Sequence, residues 1–356
     1  MKKRLQKSQI NSNSQNQKTP QRILILGAGH FGTCLAQHLA EVGHAVTIYA
    51  RSNAIVQSIN TQHQNPKYLS HIRLHPTLIA INTIKAENFA NVDAVVFVSS
   101  TQAMRDVLLP LKKFLLPRHL FVCAAKGIEV RTLKLPEQII KEICGAKISR
   151  RAVYLSGPSF ATEIAQKLPT AVTMAGRVKK CVVAAQDIFH TSYFRVYSAS
   201  DTIGLEVAGA LKNVIAIASG AAMGLGFQMN TRAALITRGL NEMIRVGIKL
   251  GAKPVIFTGL SGVGDLFLTC SSEKSRNFTL GLRLGRGESV DHILATMDSV
   301  AEGYTTAKAA FQLAKKLKIS TPIIDEVYHV LYEEKPVKEA LTDLITREAK
   351  PEFSQR

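Results

Sequence analysis

Tryptophan is absent from this chain, and aromatic residues make up only 6% of its 356 residues. Acid is scarce as well: 26 Asp and Glu stand against 45 Lys and Arg, a formal charge of +19. That balance attracts acidic ligands and surfaces without selecting one. Nucleic-acid recognition would gather the cations on one element and interleave them with stacking rings, whereas here they are dispersed, so no nucleic-acid partner is expected. The five cysteines (Cys34, Cys123, Cys144, Cys181, Cys270) are far apart, with no Cys-x-x-Cys pair and no His at ligand spacing. This argues against a disulfide framework or a metal site and reads as buried thiols in a reducing cytosol. The longest apolar run, residues 203–225, contains Glu206 and Lys212. Each charge would cost roughly 2.5–3.5 kcal/mol in a bilayer, so the run is expected to be a core helix, with no stable membrane insertion.

What is present divides the chain in two. Hydrophobic residues at 46% and charged residues at 20% fit a globular protein, and the length exceeds what one core usually serves. Residues 1–20 are polar and basic and lack the apolar middle of a secretory signal; they read as a disordered basic tail. From residue 21 to 200, short apolar runs at 23–26, 46–49, 94–98, 120–124 and 153–155 read as buried parallel strands. Helical patterns at 31–42, 104–114 and 135–143 lie between them. Strand and helix in succession specify an α/β, Rossmann-like doubly wound sheet, which runs 171–175 and 194–196 would extend. Beyond residue 200 only helical periodicities remain, at 201–223, 231–250 and 305–317, so residues 201–356 are expected to form an all-α domain.

Gly27, Gly29 and Gly32 form GAGHFG between the first apolar run and the first helical pattern. In that setting the three glycines permit a tight turn, close approach to a pyrophosphate, and tight helix–strand packing; the amides of His30 and Phe31 then face the phosphates. A dinucleotide cofactor follows. An NAD site places an acid about 20 residues further on to hold the ribose 2′-hydroxyl, but the second strand ends Tyr49-Ala50-Arg51-Ser52-Asn53. Arg51 can instead fork onto a 2′-phosphate, which favours NADPH or dual use; a merely solvated arginine is the alternative.

Four further stretches carry chemistry. AAKGIE puts Lys126 directly after a strand, where ligands of open α/β sheets bind. SGPSFATE (156–163) and EVAGALKN (206–213) follow, and GLSGVGDLFLTCSSEKSRNF (259–278) combines Asp265 with Ser275-Arg276-Asn277 ahead of a helical pattern. Ser, Arg and Asn at a helix N-terminus make a phosphate site, although Ser275 alone would be explained as an N-cap. Lys212 on an apolar helix could simply snorkel, but Ala208, Gly209, Ala210 and Asn213 leave room for a ligand.

With the segments GAGHFGT, AAKGIE, SGPSFATE, GALKN, GVGDLFLTC, SRNF and VAEG in order, the chain resembles the bacterial NAD(P)-dependent sn-glycerol-3-phosphate dehydrogenase family over residues 23–332. The resemblance implies reversible reduction of dihydroxyacetone phosphate to glycerol 3-phosphate with NADP or NAD, a cytoplasmic homodimer, and supply of phospholipid backbones. It implies that Lys212 is the general acid/base and that Lys126 touches cofactor and substrate. Gly157, Ser159, Asp265, Ser275, Arg276 and Asn277 match substrate-binding positions. His30, Phe31, Arg51, Tyr68, Ala161, Arg276, Val300 and Glu302 match cofactor-binding ones, and His30 stands where a small residue is commoner. Burial and the Lys126 charge would lower the Lys212 pKa, and Asp265 would oppose them. A β-hydroxyacid dehydrogenase with the same two-domain plan is the nearest competing reading, and the phosphate cluster argues against it. A dinucleotide-dependent sensor, or a nucleic-acid-binding protein, would not need Lys126, Lys212 and Asp265 together.

Overall fold

The computed structural model describes residues 19–297, 301–348 and 351–352. The tail, apart from Thr19 and Pro20, and Val300 lie outside the described residues. Eight strands, β1 (Arg22–Leu26), β2 (Ala45–Tyr49), β3 (Ile79–Ile81), β4 (Ala94–Phe97), β5 (Leu120–Cys123), β6 (Val153–Ser156), β7 (Thr170–Gly176) and β8 (Phe194–Ala199), form one sheet in the order 3-2-1-4-5-6-7-8. Ile23, Leu24, Ile25 and Leu26 are all buried because helices cover both faces, which explains why the strands read as continuous apolar runs rather than alternating ones. Strand β3 has no counterpart in the sequence reading: it has three residues at the sheet edge and buries only Ala80, too little for a periodic signal.

One pairing departs from the parallel expectation. β7 runs antiparallel to β6, whereas β8 is parallel to β7. The link between β6 and β7 holds only the five-residue helix Ala161–Ala165, too short at about 1.5 Å per residue to carry the chain back to the far end of the sheet. The chain therefore re-enters at the end where the parallel strands finish. Because β7 and β8 both run away from that end, the following helix Thr202–Gly224 starts at the far end and climbs beside β6. Gly209, seven residues in, comes level with Ser156 at the end of β6: a Cβ there would sit 3.0 Å from the Ser156 hydroxyl and 3.5 Å from Cγ of Lys126.

That helix is long and apolar enough to span a membrane, but 83% of its most apolar window is buried inside the protein. It is the core helix expected from residues 203–225. Helices Met229–Lys249, Asp265–Cys270, Arg276–Gly285, Glu302–Leu317 and Pro322–Tyr332 pack around it, and among the described residues everything after Ala199 is helical or loop. The crossing with Arg276–Gly285 is made backbone to backbone: a Cβ on Gly220 would fall 2.0 Å from the Phe278 carbonyl oxygen, and one on Gly281 2.0 Å from that of Ile217.

One buried acid holds two of these helices together. The Glu242 carboxylate, on Met229–Lys249, accepts from the backbone N–H of Ile323 (2.8 Å) and Ile324 (3.1 Å) at the start of Pro322–Tyr332. Burial, only partly offset by those two amides, raises its pKa from 4.5 to about 7. The folded chain thus keeps a proton that the unfolded chain has released between those values, and this contribution to stability is lost as pH rises through 7. The stability of Glu242→Gln relative to wild type should therefore shift in the variant's favour by on the order of 2–3 kcal/mol between pH 5 and pH 8. Denaturant unfolding at both pH values checks this, and a pH-independent difference would contradict it.

Candidate active site

The glycine-rich turn follows β1 and opens the helix His30–Glu41. Gly27 has φ +126°, a conformation that a side chain would strain. A Cβ on Gly32 would lie 1.9 Å from the Gly27 carbonyl oxygen, so helix and turn touch through backbone. At Gly29, which precedes the first helical residue, a Cβ would meet nothing within 4 Å. Open space in front of a helix N-terminus with no acid in its first turn fits a pyrophosphate. His30 packs edge-on to Tyr68 with ring centroids 5.0 Å apart, Phe31 is half-buried beside it, and Arg51 is exposed just beyond β2.

At the crevice end of the sheet, Lys126 leaves β5 ahead of Gly127, whose φ is +148°. Its ammonium donates to Oδ2 of Asp265 at 2.9 Å, while Lys212 donates to Oδ1 of the same carboxylate at 2.6 Å and to the Thr269 hydroxyl at 2.8 Å. Three residues that are 139 and 53 positions apart in pairs thus share one carboxylate. The Asp265 side chain is 2% exposed, that of Lys212 8% and that of Lys126 17%, so the Lys126 end is the open one. Burial alone would raise the Asp265 pKa, but Lys126 and Lys212 outweigh it and hold the group below its ordinary value. For Lys212 burial dominates, Asp265 opposes it and Lys126 adds to it, leaving a pKa of about 8.

Glu302, half-buried at the start of its helix, lies within electrostatic reach of Arg276, Lys126 and Lys212; burial nevertheless raises its pKa. Gly157, at φ +142°, presses its turn against β7, where a Cβ would come 2.9 Å from Cα of Val172, and Ser159 donates to the Gly157 carbonyl at 2.8 Å. Ala161 opens the short helix after that turn. The hydroxyl of Ser275 accepts from Phe278 N–H at 3.3 Å and so caps its own helix. Asn277 donates to Asn213 at 3.0 Å and accepts from Gly303 N–H at 2.8 Å. Of that trio only Arg276 presents an exposed side chain. Two contributors lie inside the stretches singled out from sequence without having been given a role there. Thr269 was detectable, since it lies one helical turn after Asp265, but Ser156, whose hydroxyl is 3.5 Å from Asp265, depends on how the domains meet.

A glycine-rich turn after β1, with Lys126 at the end of β5 joined through Asp265 to a lysine of the helical region, marks a nicotinamide-dependent dehydrogenase. The family follows from sequence. Residues 22–182 match the NAD-dependent glycerol-3-phosphate dehydrogenase N-terminus and residues 201–342 the C-terminus of the same family, and the chain belongs to it. It is 45% identical over 332 residues to glycerol-3-phosphate dehydrogenase [NAD(P)+] of Geobacter sp. (strain M21), covering 93% of this chain and 99% of that one. A Staphylococcus aureus relative of the same name, from strain USA300 / TCH1516, is 43% identical over the same shares. Among solved structures, glycerol-3-phosphate dehydrogenase from Coxiella burnetii superposes with a TM-score of 0.87 at 33% identity, covering 92% of this chain and 99% of that one.

Replacing Asp265 by Asn leaves two ammonium groups facing each other in a buried site. We expect a loss of stability on the order of 3–5 kcal/mol, the usual consequence of removing one partner from a buried pair. The Lys212 pKa should fall further below 8, because its largest opposing influence is gone. Chemical denaturation and the pH profile of turnover measure the two effects.

Proposed function

We propose that the chain reduces dihydroxyacetone phosphate to sn-glycerol 3-phosphate reversibly with NAD(P)H, using residues 201–356 as the substrate domain. It does so in the cytoplasm, as a homodimer, and supplies glycerophospholipid synthesis. The observation that carries this reading is the carboxylate of Asp265 shared by Lys126 and Lys212. The bound dinucleotide supplies the hydride. As charge builds on the carbonyl oxygen of the substrate, Lys212 gives it a proton: two of its three N–H donors are held by Asp265 and Thr269, and the third remains for the ketone. A pKa of about 8 lets the same nitrogen release the proton in one direction and recover it in the other near neutral pH.

Lys126, the more exposed lysine, contacts both substrate and cofactor. Gly157 and Ser159 line the pocket, and Ser275, Arg276 and Asn277 hold the phosphate at the helix N-terminus, through backbone amides and the Arg276 guanidinium. Gly27, Gly29, Gly32, His30, Phe31, Tyr68, Ala161, Val300 and Glu302 serve the dinucleotide. Arg51 biases the choice toward NADPH. The phosphate grip supports a phosphorylated ketone over a β-hydroxy acid.

Purified protein should oxidise NADPH and NADH only when dihydroxyacetone phosphate is added, and 3-hydroxy acids should not drive the reverse reaction. Lys212→Ala should abolish turnover with dinucleotide affinity nearly intact; retention of more than about a tenth of wild-type kcat would remove Lys212 from the role. In the wild type the reductive rate should fall and the oxidative rate rise as pH passes about 8. Arg51→Ala should shift the ratio of kcat/KM values toward NADH by about tenfold, the loss of one charge-assisted contact.

A further inference from the structure

The loop between β2's following helix, Asn53–Gln62, and β3 does more than connect them. Residues 63–74 close on themselves through the Leu74 N–H, which donates to the His63 carbonyl at 2.7 Å. Such closed surface loops are frequently functional. Within it Leu69 is 3% exposed and held at φ +58°, a left-handed backbone that a leucine adopts only when its surroundings impose it.

Asn65 anchors the same loop. It is fully buried, and its amide is used on both sides. Nδ2 donates to the Ala28 carbonyl (3.2 Å) and to the Thr33 hydroxyl (2.8 Å), which are the turn and the first helix of the glycine-rich motif. Oδ1 accepts the backbone N–H of Lys67 (3.2 Å) and of Tyr68 (3.1 Å). One side chain therefore fastens the loop to the turn and sets Tyr68 against His30, with the Lys67 ammonium 5.6 Å from the Tyr68 ring centroid. The loop itself, residues 63–74, holds Lys67 and Arg73 and no acid, so as placed it attracts an anion.

We propose that Asn65 is a positioning residue for the dinucleotide: it clamps the 63–74 loop onto the glycine-rich turn, so that Lys67 and Tyr68 form one wall of the site before the cofactor arrives. Preorganisation of this kind acts on cofactor affinity and leaves the proton transfer at Lys212 untouched. The inference rests on the reading that the turn holds the dinucleotide.

The test compares Asn65→Ser with Gly29→Asp, whose added carboxylate has room in the free protein but would repel a pyrophosphate. Asn65→Ser should raise both the KM for NADPH and the Kd measured by calorimetry on the protein alone by about tenfold, with kcat and the KM for dihydroxyacetone phosphate within about threefold of wild type. Thr33→Val, which removes one anchoring hydroxyl, should raise the Kd by about threefold and carries the test if Asn65→Ser does not fold. Unchanged Kd in these variants, or an equal loss in every kinetic constant, overturns the clamp. Unchanged Kd in Gly29→Asp overturns instead the placement of the dinucleotide at this turn.

Discussion

Asp265 is the constraint on which the site depends. Two ammonium groups cannot be brought together in a buried crevice without an anion between them, and a single carboxylate with one oxygen for each lysine is the smallest arrangement that neutralises both. The sharing is unequal in consequence. Lys212 is deeply buried and its proton is loosened, whereas Lys126 keeps an open side toward the crevice. The same carboxylate therefore holds the pocket together and sets the proton affinity of its innermost group.

Bringing those three residues together is a matter of topology. Lys126 comes from the end of a parallel strand, whereas Lys212 and Asp265 belong to helices added after the sheet is complete. The reversal at β7 starts the helix Thr202–Gly224 at the far end of the sheet. Ten residues at about 1.5 Å each then carry Lys212 the length of a strand, to the level of Lys126. A fully parallel sheet would have begun that helix at the crevice and sent Lys212 away from it.

Much of this could be read from sequence, for reasons that differ between elements. The central strands were visible because burial on both faces makes them continuous apolar runs, and the glycine motif because each of its three positions answers a separate steric demand. Lys126 could be placed from its position after β5 alone. β3 escaped because three edge residues bear no pattern, and the antiparallel step because an apolar run does not reveal direction. In the site, residue types identified Asp265 and Lys212 as chemically loaded. Ser275 does cap its helix, the alternative its sequence position offered, whereas that Asn277 turns its side chain into a helix–helix contact could be learned only from geometry. Asn65 acts across a long sequence separation through an ordinary polar group and nothing local marks it, whereas Ser156 opens a stretch that the sequence marks but reaches Asp265 only through the fold.

The contact of Gly220 and Gly281 with the opposing main chain reaches further than packing. At that crossing the helix that carries Lys212 and the helix that begins at Arg276 are spaced by peptide against peptide, and a side-chain contact joins them nearer the start of the second, between Asn277 and Asn213. The spacing of these two helices at the crossing is therefore set by main-chain contact rather than by the rotamer of a side chain there. A crossing of that kind has no slack: any side chain larger than hydrogen at either position would push the two helices apart, and Lys212 and Arg276 with them.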